Sequence, residues 1–299
     1  MNEGFLRTMI DQNTIQPTLR IHISAHGPLH PLQNDCEMHV AGTPQNVSIG
    51  TPKPVIVEFP NWCQFNPQGN LGDSFTILQN KWATFSSNNL DNQTCDVTGF
   101  LRIFTEHASG HESATNLNHV YEYHPALKIQ CNQTFSFANM LRAFPDLRHI
   151  SNGAASTCIS GRRLKVRFLH NRYEFTESGG GSCGNFVIIR VSAIDATGPL
   201  SLDGGHYAVA TVTADGHHTG SIGLYTLSGS PSDAWLSQVI ANGGMNHSTK
   251  VIHGVFTYNW QSIINSIKKP DGTLRRPNQP IDIKPSLAIV SYGEATAPF

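Results

Sequence analysis

The chain of 299 residues is long enough for one large domain or two of ordinary size, and its 39% of hydrophobic residues supply a sizeable core. Only 14% of residues are charged, against about 25% in an average soluble domain, and Lys+Arg 20 against Asp+Glu 21 leave a net charge of −1. That balance excludes charge-driven disorder, and it withholds the basic excess that neutralising phosphates requires, so no nucleic-acid partner is expected.

Residues 1–18 read as a polar N-terminal tail closed by Pro17. They lack the basic-then-apolar pattern of a secretion signal, as a mature processed chain also does. Short β-like runs follow at 19–25, 37–42, 54–59, 74–78, 95–104 and 119–130, separated by turn residues. Five or six such strands predict an antiparallel barrel or sandwich over 19–150, with an OB-type barrel as one form. A short helix is expected between Phe135 and Leu147, and ISNGAASTCISG at 150–161 reads as a linker.

A second antiparallel β domain is expected over 151–299. Runs 164–178 and 185–195 flank the glycine-rich turn Gly179–Gly184 and predict a hairpin. Runs 207–214 and 221–228 flank ADGHH and predict another. Ser232 and Asp233 suit the cap of a helix ending at Gly243-Gly244. Trp260, Ile263, Ile264 and Ile267 recur at helical spacing before Pro270, and 286–292 closes the chain as a strand. The expected class is α+β, mostly β. No apolar run approaches the roughly 18 residues that cross a bilayer, so no membrane span is expected.

Six cysteines at 36, 63, 95, 131, 158 and 183 form no C-x-x-C pair, which removes zinc ribbons and thioredoxin-like sites. Their even count in a strand-rich chain fits disulfides, hence an extracytoplasmic location, and Cys158 with Cys183 is a candidate bridge. The run Gly179–Gly184 fits both G-x-G-x-x-G and G-x-S-x-G. Each motif needs a helix after it, and here a strand follows, so both are rejected. The clusters at Arg162–Lys165 and Arg275-Arg276 read as solvated faces.

Fifteen histidines are many for this length, and the densest group combines Glu106, His107, His111, His119, Glu122 and His124. On a strand, Glu122 and His124 share one face, about 7 Å apart. With His107, His111 and His119 they form a candidate ligand set for a single divalent transition metal, because borderline metals take imidazole and carboxylate together. The alternative is a barrel strand whose polar residues meet water, with Pro125 marking an edge or bulge. Asp215, His217 and His218 read as hairpin-turn chemistry. Trp62 and Trp82 lie beside amide side chains in loop-like stretches and are candidates for stacking on a sugar.

The blocks HPLQNDCEMHVAG, NQTCDVTGFLRIFTEH, HVYEYHPALKI, RYEFTESGGGSCGNFVIIRV, GGHYAVATVTADG and VIHGVFTYN resemble a group of bacterial proteins of unknown function, often exported, over roughly 30–260. The resemblance implies export and that the two halves belong together, and it carries over no activity or catalytic residue. The function expected is an extracytoplasmic, non-catalytic binding or assembly module for a glycan or protein partner, with an exposed strand edge available for oligomer formation. The alternative is a metal-dependent hydrolase built on the His/Glu cluster at 106–124.

Overall fold

A computed structural model describes residues 1–12, 16–30, 37–45, 47, 54–58, 72–87, 90–103, 107–110, 113–136, 159, 161–179, 186–195, 205–214, 217–226, 228–258, 260–283 and 286–294. The chain divides into two units. The N-terminal one comprises Asn2–Gln12 and Gln16–Phe137, and the C-terminal one is built from Ala138–Phe299.

In the N-terminal unit, period-2 patterning sets the strands. In β1 (Thr18–His26), Leu19, Ile21 and Ile23 are buried while Arg20 and Ser24 face water. β2 (His39–Pro44) and β3 (Val55–Glu58) continue an antiparallel meander. β4 (Thr94–Ile103) then pairs antiparallel with β1 and with β5 (Tyr121–Gln130). The parallel pair β3–β5 closes the ring, and β6 (Thr134–Ser136) extends it along β5. The cyclic order 1-2-3-5-4 is the Greek-key closure of the OB fold. Gly99 of β4 lies where the β4–β5 register slips opposite Pro125, the bulge that the proline predicted. A Cβ there would stand 2.7 Å from the Pro125 carbonyl oxygen, so only glycine lets the strands approach this closely.

Two expectations fail in this unit. Residues 3–12, read as a polar tail, form helix α1 (Glu3–Gln12), because Phe5, Leu6 and Met9 fall on one face at helical spacing and are buried. Phe5 packs on Tyr121 of β5 with ring centroids 5.6 Å apart. The run 74–78, read as a strand, lies inside helix α2 (Gly72–Ser86), whose Leu78, Trp82 and Phe85 repeat with period 3.6 and are buried while Ile77 is exposed.

The C-terminal unit repeats the closure. β9 (Phe186–Asp195), β10 (Tyr207–Ala214) and β11 (His217–Thr226) form the meander, with β10–β11 the hairpin predicted around ADGHH. β12 (Met245–Thr257) pairs with β9, and β14 (Ser286–Glu294) closes the barrel, parallel to β11 and antiparallel to β12. Helix α3 (Pro231–Ala241) joins the third and fourth barrel strands, as α2 does in the first unit. Its N-cap is Ser230, which accepts from the Asp233 amide, so Ser232 and Asp233, expected at the cap, lie within the first turn. Trp260, Ile263, Ile264 and Ile267 are buried in helix α4 (Trp260–Ile267) as their spacing predicted.

Among the described residues, the strand Arg172–Ser178 does not pair with β9, so the hairpin expected across Gly179–Gly184 is not seen there. β7 (Arg163–Leu169) and β8 (Arg172–Ser178) pair with each other, and β13 (Ile281–Ile283) adds to β7. The true turn is His170-Asn171, both at positive φ (51° and 59°), the conformation that a two-residue type I′ loop requires. Arg162, expected on a solvated face, is buried, with Nε 3.2 Å from Glu177 Oε1.

Among the described residues one disulfide, Cys95–Cys131, links the outer ends of β4 and β5, while Cys158 and Cys183 lie outside them. No described helix is long and apolar enough to cross a membrane. Because α1 is a packed element, Phe5→Ala is expected to cost about 3 kcal/mol of stability, read as a lowered midpoint in urea unfolding.

Candidate metal centre

Strand pairing gathers one end of each barrel strand together. At one end of the first barrel stand the first residues of β2 and β5 and the last of β3 and β4. Register then fixes neighbours: His39 faces Glu58 across β2–β3, Ile56 faces Glu122 across β3–β5, and Arg102 faces Glu122 across β4–β5. Alternation therefore places His39, Glu58, Arg102, Glu122 and His124 on one face of the wall. Glu37, just before β2, joins them. Its carbonyl accepts from the His30 amide and the His39 carbonyl from the Gly27 amide, so the β1–β2 connection holds the segment as a hairpin extension.

These groups are buried, not solvated. Glu37, Glu58, Glu122, Arg102, His119 and His124 all lie below 9% exposure. Arg102 grips Glu122 side-on, with Nε donating to Oε2 at 3.0 Å and Nη2 to Oε1 at 2.9 Å. Such a bidentate pair is the strong form of a carboxylate–guanidinium contact. His39 Nε2 is 3.1 Å from Glu58 Oε1. His124 Nε2 is 3.7 Å from both Glu37 Oε1 and Glu58 Oε2, and its Nδ1 is 4.0 Å from Glu122 Oε1. Donor atoms of Glu37, His39 and Glu58 lie within 4.8 Å of one another, as do those of Glu58, Glu122 and His124.

Burial pushes the Glu122 carboxyl up, but the Arg102 guanidinium, with His119 and His124, more than offsets it and holds the group well below the usual carboxylate range. Burial, reinforced by Arg102, takes His124 down to about 3. Its imidazole is therefore neutral at ordinary pH, the form that ligates metals.

Of the residues singled out from sequence, His119, Glu122 and His124 are brought together here. His119 lies in the β4–β5 connection. Its Nδ1 donates to the Leu117 carbonyl at 2.6 Å, and its Nε2 is 3.9 Å from Glu122 Oε2. His107 stacks on the His119 ring with centroids 5.3 Å apart. Glu106, His111 and Trp62 lie outside the described residues. Trp82 does not offer a free face to a sugar. It is 1% exposed, packs against Phe85 and Phe135, and donates from Nε1 to the Gly27 carbonyl at 2.9 Å.

Sequence reasoning missed Glu37, His39, Glu58 and Arg102. The signal was present. Glu37-Met38-His39 repeats the Glu122-Tyr123-His124 spacing, and Glu58 and Arg102 are single charges set in the apolar strands PVIVE and GFLRI. A charge in a strand buried on both faces needs a buried partner.

No protein-family model matches the chain, and no curated protein does. Among solved structures, a deletion mutant of the single-stranded DNA binding protein from Thermus aquaticus matches over 96% of this chain and 98% of that one, at 8% identity and a TM-score of 0.25. So low a score carries no argument about function.

Removing one partner of the Arg102–Glu122 pair strands a buried charge. Arg102→Ala is expected to destabilise the protein by about 3–5 kcal/mol, and adding Glu122→Leu to Arg102→Met to recover most of that loss. Urea unfolding of the single and double variants checks it.

Proposed function

We propose that this chain is an exported metal-binding protein whose N-terminal barrel holds one divalent transition metal between Glu37, His39, Glu58 and His124. The observation that carries the reading is the convergence of buried donors, distant in sequence, in two sets that share Glu58: Glu37, His39 and Glu58, and Glu58, Glu122 and His124, each with its ligand atoms within 4.8 Å of one another. His39 Nε2 stands 3.1 Å from Glu58 Oε1, and His124 Nε2 stands 3.7 Å from Glu58 Oε2 and from Glu37 Oε1. Ligands about 2.0–2.2 Å from a tetrahedral ion stand roughly 3.4 Å from each other. Two imidazoles with two carboxylates suit zinc and neighbouring first-row metals better than magnesium or calcium.

Charge supports the same reading. Arg102 balances the charge of Glu122, and a divalent ion would balance the carboxylates of Glu37 and Glu58 once they ligate it. With Nε2 of His124 turned toward Glu37 and Glu58, its Nδ1 faces Glu122.

The second barrel provides an internal comparison. Matching the parallel pairs Ile56–Glu122 and Leu224–Leu287 aligns the two closures. Thr226 then occupies the place of Glu58, Phe256 that of Arg102 and Leu287 that of Glu122, while His206 occupies that of His39. The same connectivity closes with uncharged residues at the positions of Glu58, Arg102 and Glu122, so the topology by itself does not require those charges.

Export is supported by the Cys95–Cys131 disulfide, since such bonds persist in oxidising compartments. A metal-dependent hydrolase is the reading in which the ion keeps one position open to water. With 13% of its side chain accessible, His39 is the most exposed of the four donors and marks the side from which water reaches the site.

Protein purified without chelator or polyhistidine tag is expected to bind about one equivalent of zinc in calorimetric titration. Glu58→Gln and His124→Ala are each expected to weaken it by about 10- to 100-fold or more, with the far-ultraviolet dichroism of wild type. Absence of uptake by the folded wild-type chain overturns the proposal. Zinc-dependent turnover of p-nitrophenyl acetate or bis(p-nitrophenyl) phosphate, lost in Glu58→Gln, supports the hydrolase reading, and zinc binding without turnover leaves a binding module.

A further inference from the structure

A groove of about 880 Å³ opens between α2 and the β1–β2 connection of the N-terminal unit. Its size falls within the roughly 300–1,000 Å³ of small-ligand sites. None of the candidate metal ligands lines it. Gly27, Leu29 and Trp82, all buried, back it, and its polar lining comes from His26, Gln79, Asn80, Ser87, Asp91 and Asn92.

The polar groups in that lining are hydrogen-bonding ones, with no lysine or arginine among the described residues. Gln79, Asn80 and Asn92 bring amides, which donate and accept, and Ser87 brings a hydroxyl. His26 Nδ1 lies 2.7 Å from Asp91 Oδ1, a contact that fixes the imidazole plane. Both side chains stay accessible, at 24% and 45%. Asn92 sits at φ 66°, a left-handed conformation that asparagine tolerates. Hydrogen bonds from the Asn92 amide to the Ile23 carbonyl and from the Ile23 amide to the Gln93 carbonyl, both 2.8 Å, hold that wall rigidly beside β1.

Charge decides between the ligand classes that OB barrels commonly take, oligonucleotides and oligosaccharides. An oligonucleotide draws much of its affinity from lysine and arginine neutralising phosphates. The described lining residues include neither, and Asp91 repels an anion. Amides, hydroxyls and a carboxylate–imidazole pair match the donors and acceptors of sugar hydroxyls. We infer that this groove binds a neutral oligosaccharide, its hydroxyls hydrogen-bonded by Asn80, Gln79, Asn92 and the His26–Asp91 pair. Recognition is by hydrogen bonding along the groove, since the Trp82 ring is committed to the core.

The test titrates the full chain with cellohexaose, chitohexaose, maltohexaose and a short oligothymidylate, following tryptophan fluorescence and calorimetric heat. Saturable binding of at least one saccharide is expected, weakened about five- to tenfold by Asn80→Ala and by His26→Ala, each removing one neutral contact. Glu58→Gln is expected to leave saccharide affinity unchanged, so loss of metal binding and loss of saccharide binding are read separately. Binding of the oligothymidylate in preference to every saccharide overturns the inference. So does the absence of binding by any saccharide, or full affinity in the Asn80→Ala, His26→Ala double variant with unchanged dichroism.

Discussion

The parallel pairing of β3 with β5 closes the first barrel and in the same act creates its polar cluster. Glu58 and Glu122 are 64 positions apart in the chain, yet the pairs Ile56–Glu122 and Val57–Tyr123 set their strands side by side. Every other element of the site follows from that closure. β2 brings His39 against Glu58, β4 brings Arg102 against Glu122, and the hairpin extension before β2 carries Glu37 toward His124. Non-local parallel pairing is costly in chain entropy. Apolar packing around Val55, Ile56, Val57 and Tyr123 offsets that cost, and all four are fully buried.

Three carboxylates and a guanidinium in a low-dielectric wall are hard to justify as stabilising elements. Desolvating each ion costs several kcal/mol, and well-packed apolar side chains of similar volume do as well or better. At two of the matching register positions the second barrel carries apolar residues. Where the first has Arg102 and Glu122, it has Phe256 and Leu287 at matching register. It keeps a histidine, His206, but ties it into a hydrogen-bond network with Asp233 and Thr226. Its Nδ1 lies 2.7 Å from Asp233 Oδ1, Thr226 donates to the same oxygen, and Asp233 lies in the first turn of α3. One closure thus serves two chemistries, an ionic cluster in the first barrel and a helix-capping network in the second.

The low charge density of the chain is consistent with both proposals. A surface rich in Asn, Gln, Ser and Thr offers hydrogen bonds without long-range attraction for anions, and the groove beside α2 concentrates that character. A few ionisable groups, Glu37, Glu58, Arg102, Glu122 and His124, are buried inside the first barrel wall, where interactions between them are little screened by solvent.

The sequence by itself determined the strand-rich class, most strand positions, the α4 helix, the β10–β11 hairpin and the bulge at Pro125. Each of these depends on local periodicity or local turn chemistry. It also marked Glu122 and His124 as a same-face pair, because alternation along a strand is local. It misplaced α1 and the start of α2. Polar residues dominate the composition of 1–18, and a five-residue apolar run in 74–78 does not distinguish period 2 from period 3.6 until Trp82 and Phe85 are counted. It also assigned 164–178 to a hairpin with β9, when the His170-Asn171 turn folds that segment on itself. Only the tertiary structure decided that the polar face of β5 is buried, and that its partners are Glu37, Glu58 and Arg102 more than its neighbours in the 106–119 loop. The physical reason is register: which residues share a face is written in one strand, but which faces meet is fixed by how five strands close into a ring.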